Sequence, residues 1–184
     1  MSEFDLGPAL LAIARAAIAD ALGATAPTIG DHASLREPSA TFVTLKQAGE
    51  LRGCIGSVRA LRPLADDVRA NAVAAAFHDP RFEPLSATEL RATSIEVSLL
   101  TTPEPIGFAD ENELLARLHP GIDGVILEYR DRRATFLPQV WDMLPDPRDF
   151  LAALKGKAGL SRAFWDPAIR ASRYTVTKWT ELPQ

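Results

Sequence analysis

The sequence has a single cysteine, Cys54, so no disulfide can form within the chain. A zinc site built from several thiolates is excluded for the same reason, and the three histidines lie too far apart in the sequence for a metal site. No run approaches the roughly 18 apolar residues of a membrane helix, and Met1 to Asp5 carry no basic segment ahead of an apolar stretch. We therefore expect a protein of the reducing cytoplasm, without a signal for export or membrane insertion and without bound metal.

An excess of positive charge is also missing. The 20 lysines and arginines are outnumbered by 24 aspartates and glutamates, giving a formal net charge of -4. Binding to the phosphate backbone of nucleic acid usually needs a basic excess, so a nucleic-acid partner is not expected. The chain contains no P-loop, dinucleotide-binding glycine motif, Gly-x-Ser-x-Gly motif or His-Glu-x-x-His motif. No cofactor is therefore expected, and composition and motifs leave open whether the protein is an enzyme.

Length and composition predict one globular unit of 184 residues, with one compact core or two small lobes. Amphipathic helices are expected over 10–22, 63–79, 110–118 and 146–154. Hairpins are expected over 41–58 and 125–137, and further strands over 94–100 and 172–179. Ser86 and Glu89 have the spacing of a capping box. The prolines Pro103 and Pro105 indicate an extended linker, where we expect a boundary between two lobes.

The segment Leu51–Gly56 is the strongest candidate for a functional site. Residues two apart in a strand share a face, so Arg52 and Cys54 are predicted to point the same way. A guanidinium beside a thiol favours the nucleophilic thiolate. Gly53 and Gly56 would allow close approach of a ligand or another backbone, or they would mark a bulge. The alternative is a packed, inert Cys54, because free cysteines are often buried.

A second candidate lies at the predicted end of the second helix, in Ala76–Phe82. Here His78 could carry a proton and Arg81 could hold an anion. The alternative is a structural helix cap, since the helix dipole favours cations at this end. Glu96 is predicted to lie on the strand face opposite to Ile95 and Val97 and is a further proton-transfer candidate.

Polar and basic residues of the C-terminal half supply the remaining candidates. Thr135 and Gln139 lie among aromatic residues at the end of the second hairpin, where core packing is the alternative role of the aromatic side chains. Lys157 lies in a glycine-containing basic turn, and its alternative role is that of a solvated charge at a helix end.

These segments together resemble a known family. Leu51–Gly56 is identical to the hallmark hexapeptide of the AMMECR domain family, which includes the AmmeMemoRadiSam system protein A members. Further blocks resemble the family in the expected order, at 75–85, 96–100, 135–140 and 157–160. The resemblance therefore covers almost the whole chain.

The resemblance implies an α+β fold of two subdomains separated by a cleft, each with an antiparallel sheet and flanking helices. Mapped onto this sequence, the large lobe is about 1–102 plus 158–184, and the small lobe is about 103–157. The hexapeptide is expected to face the cleft. Family members are often encoded beside a radical S-adenosylmethionine (SAM) enzyme and a Memo-like protein, which implies these two as possible protein partners in a modification pathway.

Two functions are compatible with these observations. In the favoured one, the protein binds a protein, peptide or small ligand as an accessory of that pathway. The ligand-binding candidates are Arg52, Gly53, Gly56, Arg81, Thr135, Gln139 and Lys157. In the alternative, the protein is an enzyme in which Cys54 is a nucleophile or covalent carrier, Arg52 stabilises the thiolate or an anion, and His78 or Glu96 transfers the proton.

Overall fold

The computed structural model describes residues 6–24 and 32–181. Within them the fold is α+β, with five α-helices, two short 3-10 helices and nine strands in two antiparallel sheets. The α-helices are α1 (Leu6–Ala21), α2 (Leu64–Phe77), α3 (Ala87–Ala92), α4 (Glu111–Arg117) and α5 (Pro147–Lys157). The strands are β1 (Pro38–Gln47), β2 (Glu50–Gly56), β3 (Arg62–Pro63), β4 (Thr93–Leu100), β5 (Glu104–Pro105), β6 (Gly124–Tyr129), β7 (Arg132–Phe136), β8 (Arg170–Tyr174) and β9 (Val176–Thr180). The 3-10 helices are Ala33–Arg36 and Pro138–Asp142.

The chain forms two compact units. The first comprises Met1–Leu100 with Thr177–Gln184, and the second is Thr101–Val176. The second unit is thus inserted between two strands of the first. Met1 to Asp5, on which the expected lack of an export signal rests, lie outside the described residues.

The sheet of the first unit has the order β2-β1-β4-β9, and β3 pairs with the start of β1. The predicted hairpin of β1 and β2 is confirmed. Its turn residues Ala48 and Gly49 have positive φ values of 49° and 85°, as a two-residue hairpin turn with right-handed twist requires.

Alternation along the strands divides this sheet into an apolar and a polar face. Val43, Leu45 and Val97 are completely buried and belong to one hydrophobic cluster with α1 and α2. Thr44 and Glu96 point to the other side, since successive side chains of a strand face opposite ways. Both helices therefore pack on the apolar face.

A buried polar network fastens α2 to the β1–β2 hairpin. Asp67, 1% exposed, accepts hydrogen bonds from the Thr41 backbone N–H at 2.9 Å and hydroxyl at 2.8 Å. Ser57, Arg62 and Asn71 also donate to this carboxylate. Because these donors neutralise and solvate the buried charge, Asp67 can anchor the helix to the strands.

The second unit has its own sheet and core. Its strand order is β5-β8-β6-β7, and α5 contributes the completely buried Phe150 and Leu154. Trp141 stacks on Phe150 with ring centroids 3.7 Å apart, and its indole N–H donates to the Asp123 carbonyl. Burial of these aromatic faces gives the unit an independent apolar core.

The helix N-terminal caps predicted from the sequence are confirmed. Ser86 and Glu89 form both hydrogen bonds of a capping box at α3. Asp110 caps α4, and Asp146 caps α5 directly before the helical Pro147. Each of these signals acts within three residues, so the sequence alone was enough to identify it.

One predicted strand, 172–179, is wrong as a single element. The chain changes sheets at Thr175, so that β8 pairs with β5 and β6 whereas β9 joins β4. The second unit consequently extends to Val176, and the expected return to the large lobe at 158 is incorrect. Strand periodicity reports a β conformation but does not identify the pairing partner, which explains the error. The expected cleft between the lobes stays a prediction.

None of the helices within residues 6–24 and 32–181 combines the length and the apolar composition that a membrane span requires.

Candidate functional site

The predicted site residue Cys54 lies on β2 in a row of polar side chains across the sheet of the first unit. Cys54 pairs with Thr44 on β1, and Thr44 pairs with Glu96 on β4. The Cys54 sulfur is 3.3 Å from the Thr44 hydroxyl oxygen, and the residue is partly exposed. Glu96 is two strands away, at about 10 Å, because neighbouring strands are about 4.8 Å apart. In the described part of the chain, no hydrogen bond joins the Glu96 carboxylate to the Cys54 sulfur.

Both glycines of the hexapeptide are required by close packing. A Cβ at Gly53 would lie 2.2 Å from the Ala75 carbonyl oxygen of α2. A Cβ at Gly56 would lie 2.2 Å from the ring of Phe42 on β1. Such approaches are shorter than van der Waals contact, so the two glycines let a helix backbone and an aromatic ring pack on β2. Their proposed role in ligand binding stays a prediction.

A β-bulge changes the environment of Arg52. Leu45 pairs with Gly53 and Lys46 pairs with Leu51, which leaves Arg52 as the extra residue of β2. A bulge disrupts the alternation of side chains on which the prediction for Arg52 depended.

The Arg52 guanidinium forms an ion pair with Glu89 on α3, with Nε 3.1 Å from the carboxylate, and donates to the Glu83 carbonyl at 2.9 Å. Backbone and hydroxyl hydrogen bonds from Ser86, together with Arg52, lower the pKa of Glu89 to about 2. Arg52 is thus held by α3, and its described hydrogen bonds do not reach the Cys54 sulfur.

Asp79, directly after α2, joins β2 to the Arg81 side chain. It is 3% exposed. Its carboxylate accepts the Cys54 backbone N–H at 2.9 Å and three Arg81 donors: the backbone N–H at 3.1 Å, Nε at 2.9 Å and Nη2 at 2.7 Å. The Arg81 hydrogen bond is the main cause that holds the pKa of Asp79 well below its usual range, against the opposing effect of burial. Asp79 is therefore an ionised carboxylate with four donors and not a free base.

Arg81 is the cation that contacts the hexapeptide. Its Nη2 also donates to the Cys54 carbonyl at 3.3 Å, and 54% of its side chain is exposed. The hydrogen bond to Asp79 raises the pKa of Arg81 further. The Arg81 and Arg52 guanidiniums lie 5.5 and 5.9 Å from the centre of the same Phe82 ring. The structure thus brings two predicted residues, Arg52 and Arg81, to one aromatic side chain.

His78 and Glu96 have other surroundings. His78 ends α2 with its ring exposed, on a shallow groove along the outer face of that helix. Its ring forms no hydrogen bond to Cys54 within the described residues. Glu96 forms ion pairs with Lys46 at 3.2 Å and Lys178 at 3.9 Å. The proton-transfer roles of His78 and Glu96 stay predictions, and these contacts do not place either group against the thiol.

Three further predicted residues belong to the second unit. The Thr135 hydroxyl donates to the Val125 carbonyl at 2.9 Å, and Lys157 donates to the Thr135 carbonyl at 2.9 Å. The Lys157 ammonium also lies 5.1 Å from the centre of the Phe136 ring. Gln139 is exposed on the 3-10 helix. Thr135 and Lys157 are thus neighbours, whereas their ligand-binding role and that of Gln139 stay predictions.

Asp79, Phe82 and Glu89 are site residues that were not predicted from the sequence. A signal for Asp79 was present, because Asp-Pro-Arg is typical of a turn in which the aspartate side chain accepts the backbone N–H two residues later. The Arg81 N–H makes that bond. Among the described residues, no three His, Cys, Asp or Glu side chains come together as a metal-ion set.

Comparison with known proteins identifies the family. The AMMECR1 family model matches residues 11–179. The chain belongs to the AMMECR1 family. The resemblance carried by the hexapeptide is therefore confirmed, and residues 51–56 lie within the matched region.

Individual relatives agree with this assignment. A Methanothermobacter thermautotrophicus protein is 38% identical over 177 residues, covering 92% of this chain and 91% of the relative. A Thermofilum pendens protein is 42% identical over 143 residues, covering 72% of this chain and 67% of the relative. The crystal structure of an uncharacterized Pyrococcus horikoshii protein matches with a TM-score of 0.83 at 32% identity, covering 96% of this chain and 92% of that one. The α+β fold is thus shared within the AMMECR1 family.

Proposed function

We propose that this AMMECR1 protein is a binding module that recognises a protein or peptide through the surface formed by Leu51, Cys54, Arg81 and Phe82. We further propose that it acts as a cytoplasmic accessory of a modification pathway, with a radical SAM enzyme and a Memo-like protein as partners. The family resemblance supports this choice of partners, and the geometry around Cys54 supports binding over catalysis.

The main support for the proposal is that the Asp79 carboxylate is already occupied by hydrogen bonds from Cys54 and Arg81. In many enzymes a cysteine nucleophile is activated by a base within hydrogen-bond reach. The Asp79 carboxylate, which accepts the Cys54 backbone N–H, already accepts four hydrogen bonds in total. These hydrogen bonds hold Arg81 and β2 in place. The described contact of the sulfur is the neutral hydroxyl of Thr44. This arrangement fixes a surface, and among the described residues no acidic or basic side chain forms a hydrogen bond to the Cys54 sulfur.

The exposed groups suit a macromolecular partner. Arg81 is more than half exposed, Leu51 is 41% exposed, and Phe82 is half-buried. Arginine and aromatic residues dominate the energetic centres of protein interfaces. Because Asp79 holds Arg81 in one orientation, little side-chain entropy is lost when a partner binds.

The experiment is a calorimetric titration with the radical SAM enzyme and the Memo-like protein encoded in the same genome. We expect at least one of them to bind, and we expect Leu51→Ser and Arg81→Gln to weaken binding by about tenfold or more. Cys54→Ser should keep affinity within about threefold, since it preserves size and hydrogen bonding. Arg69→Gln, an exposed change on α2, is the matched control.

Other outcomes would contradict the proposal. Absence of binding to both proteins excludes these partners. A covalent intermediate on Cys54, detected by intact mass and lost in Cys54→Ser while the partner still binds, would support the thiol enzyme instead.

A further inference from the structure

A cavity of about 490 Å³ lies in the first unit at the hairpin end of the five-stranded sheet. Its walls include Lys46 and the turn residues Ala48 and Gly49 on one side, and Arg91 at the end of α3 on another. The volume is within the range of small-molecule sites, which is about 300–1,000 Å³. The cavity is thus large enough for a metabolite-sized ligand, and it does not include the surface proposed above for partner binding.

One side of the cavity is a rigid ion pair between Arg15 on α1 and Glu181 after β9. Arg15 Nε donates to Glu181 at 2.6 Å, and Nη2 contacts the second carboxylate oxygen. Arg15 also donates to the carbonyls of Leu90 at 3.2 Å and Thr93 at 2.7 Å, while Glu181 accepts the Ile95 N–H at 2.9 Å. These contacts satisfy both charges, so the pair forms a fixed and electrically balanced wall.

The other charged groups of the lining are cationic. Lys46 has a partly exposed side chain and shares Glu96 with Lys178. Arg91 is exposed and has no ion-pair partner among residues 6–24 and 32–181. The lining contains three cations and one carboxylate, Glu181. When Glu96, the partner of Lys46, is counted as well, three positive charges face two negative ones, and Arg91 is the lining cation without a carboxylate partner among the described residues. A local excess of positive charge in a concave site attracts anions and concentrates them there.

We infer that this cavity binds a small organic oxyanion, a carboxylate or a phosphate ester, whose charged group is held by Arg91 and Lys46. Arginine can bind either group with two parallel hydrogen bonds, and the nearby lysine adds a second positive charge. Ala48, Gly49 and Ala92 provide uncharged walls for the remainder of the ligand.

The test is a titration of the ¹⁵N-labelled full chain with inorganic phosphate and, separately, with succinate, followed by NMR. We expect at least one probe to bind saturably and to shift the amide signals of Ala48, Gly49 and Ser94. Saturation by phosphate alone identifies a phosphate site, and saturation by succinate alone identifies a carboxylate site. Because the attraction is ionic, binding should weaken as NaCl rises from about 50 mM to about 500 mM.

Variants decide whether Arg91 carries the binding. Arg91→Gln should weaken affinity by about fivefold or more, because it removes the lining cation that has no ion-pair partner in the described part of the chain. Arg69→Gln, which removes an exposed arginine from the outer face of α2, should change affinity by less than about twofold. Unchanged binding in Arg91→Gln, shifts outside the cavity, or no saturation by either probe would overturn the inference. The partner titration described above does not depend on this result, so the two proposals can fail separately.

Discussion

Substitution of Gly53 by alanine tests whether α2 rests directly on the hexapeptide strand. The added Cβ would lie 2.2 Å from the Ala75 carbonyl oxygen and 3.2 Å from its carbonyl carbon. Both atoms belong to the α2 backbone, so no side-chain rotation can relieve the contact. The strand and helix must separate by about 1 Å to restore ordinary packing.

The size of the effect follows from this geometry. Overpacking of a core costs about 1–3 kcal/mol, and a contact between two backbones belongs at the upper end of that range. Loss of glycine's conformational freedom in the unfolded chain offsets about 0.5–1 kcal/mol. We therefore expect Gly53→Ala to reduce the free energy of unfolding by about 2 kcal/mol and Tm by about 4–8 °C.

Two other glycines provide a graded comparison. In Gly56→Ala the new Cβ meets the Phe42 ring, a side chain that can move, so the loss should be smaller. Gly107 has no heavy atom within 4 Å of a built Cβ and no positive φ, so Gly107→Ala should leave Tm unchanged or slightly higher.

The assay is thermal unfolding by circular dichroism, with hydrogen exchange and mass spectrometry to locate the change. Faster exchange should be confined to peptides of β2 and α2 in Gly53→Ala. A Tm within about 1 °C of wild type, or a larger loss in Gly56→Ala than in Gly53→Ala, would refute the argument that the helix backbone limits this position.

Two further substitutions test electrostatic and hydrogen-bond arguments. Because the pKa of Glu89 falls from 4.5 to about 2 on folding, its stabilising effect is present above pH 4.5 and is lost as the pH falls toward 2. Urea unfolding at several pH values should therefore show that the free energy of unfolding falls less between pH 4.5 and pH 2 in Glu89→Gln than in the exposed control Glu83→Gln. Equal decreases in the two variants would contradict this account. Burial raises the pKa of Tyr174 to about 12, and its hydroxyl donates to the Phe136 carbonyl at 3.1 Å. Tyr174→Phe should lower the free energy of unfolding in urea by about 1–2 kcal/mol. In Tyr129→Phe, Tyr174 is the remaining tyrosine and should ionise near pH 12. Ionisation near pH 10 would show that Tyr174 is not buried as described.

Predictions that depend on neighbouring residues in the sequence agree with the structure. The β1–β2 hairpin, the Ser86 capping box and the Asp146–Pro147 helix start each involve a few consecutive residues. Their physical causes, turn conformation and satisfaction of terminal N–H groups, are local. A single sequence is therefore enough to locate them.

Features that depend on distant pairing could not be obtained in this way. The segment around Thr175 has uniform β character, yet its two halves pair in different sheets. Strand pairing is decided by tertiary contacts that residue propensities do not contain. The predicted lobe boundary at 158 failed for this reason.

The candidate site shows the same division. Its hexapeptide was recognised from the sequence, including Cys54 and the two glycines. The partner of Arg52 was not, because a bulge changes its direction and α3 brings Glu89 to it. The contact of Asp79 with the Cys54 N–H likewise depends on how the end of α2 approaches β2.

The insertion of the second unit between β4 and β9 affects the order of events during translation. The ribosome must synthesise Thr101–Val176 before β9 can emerge, a delay of several seconds at about 5–20 residues per second. Until then the edge of β4 is unpaired, and the contact of Trp179 with Gly7 on α1 cannot form. The ion pair of Arg15 with Glu181 is missing as well. An open strand edge is a site of pairing with other chains. The nascent chain of this protein therefore exposes the β4 edge to pairing with other chains for a defined interval of its synthesis.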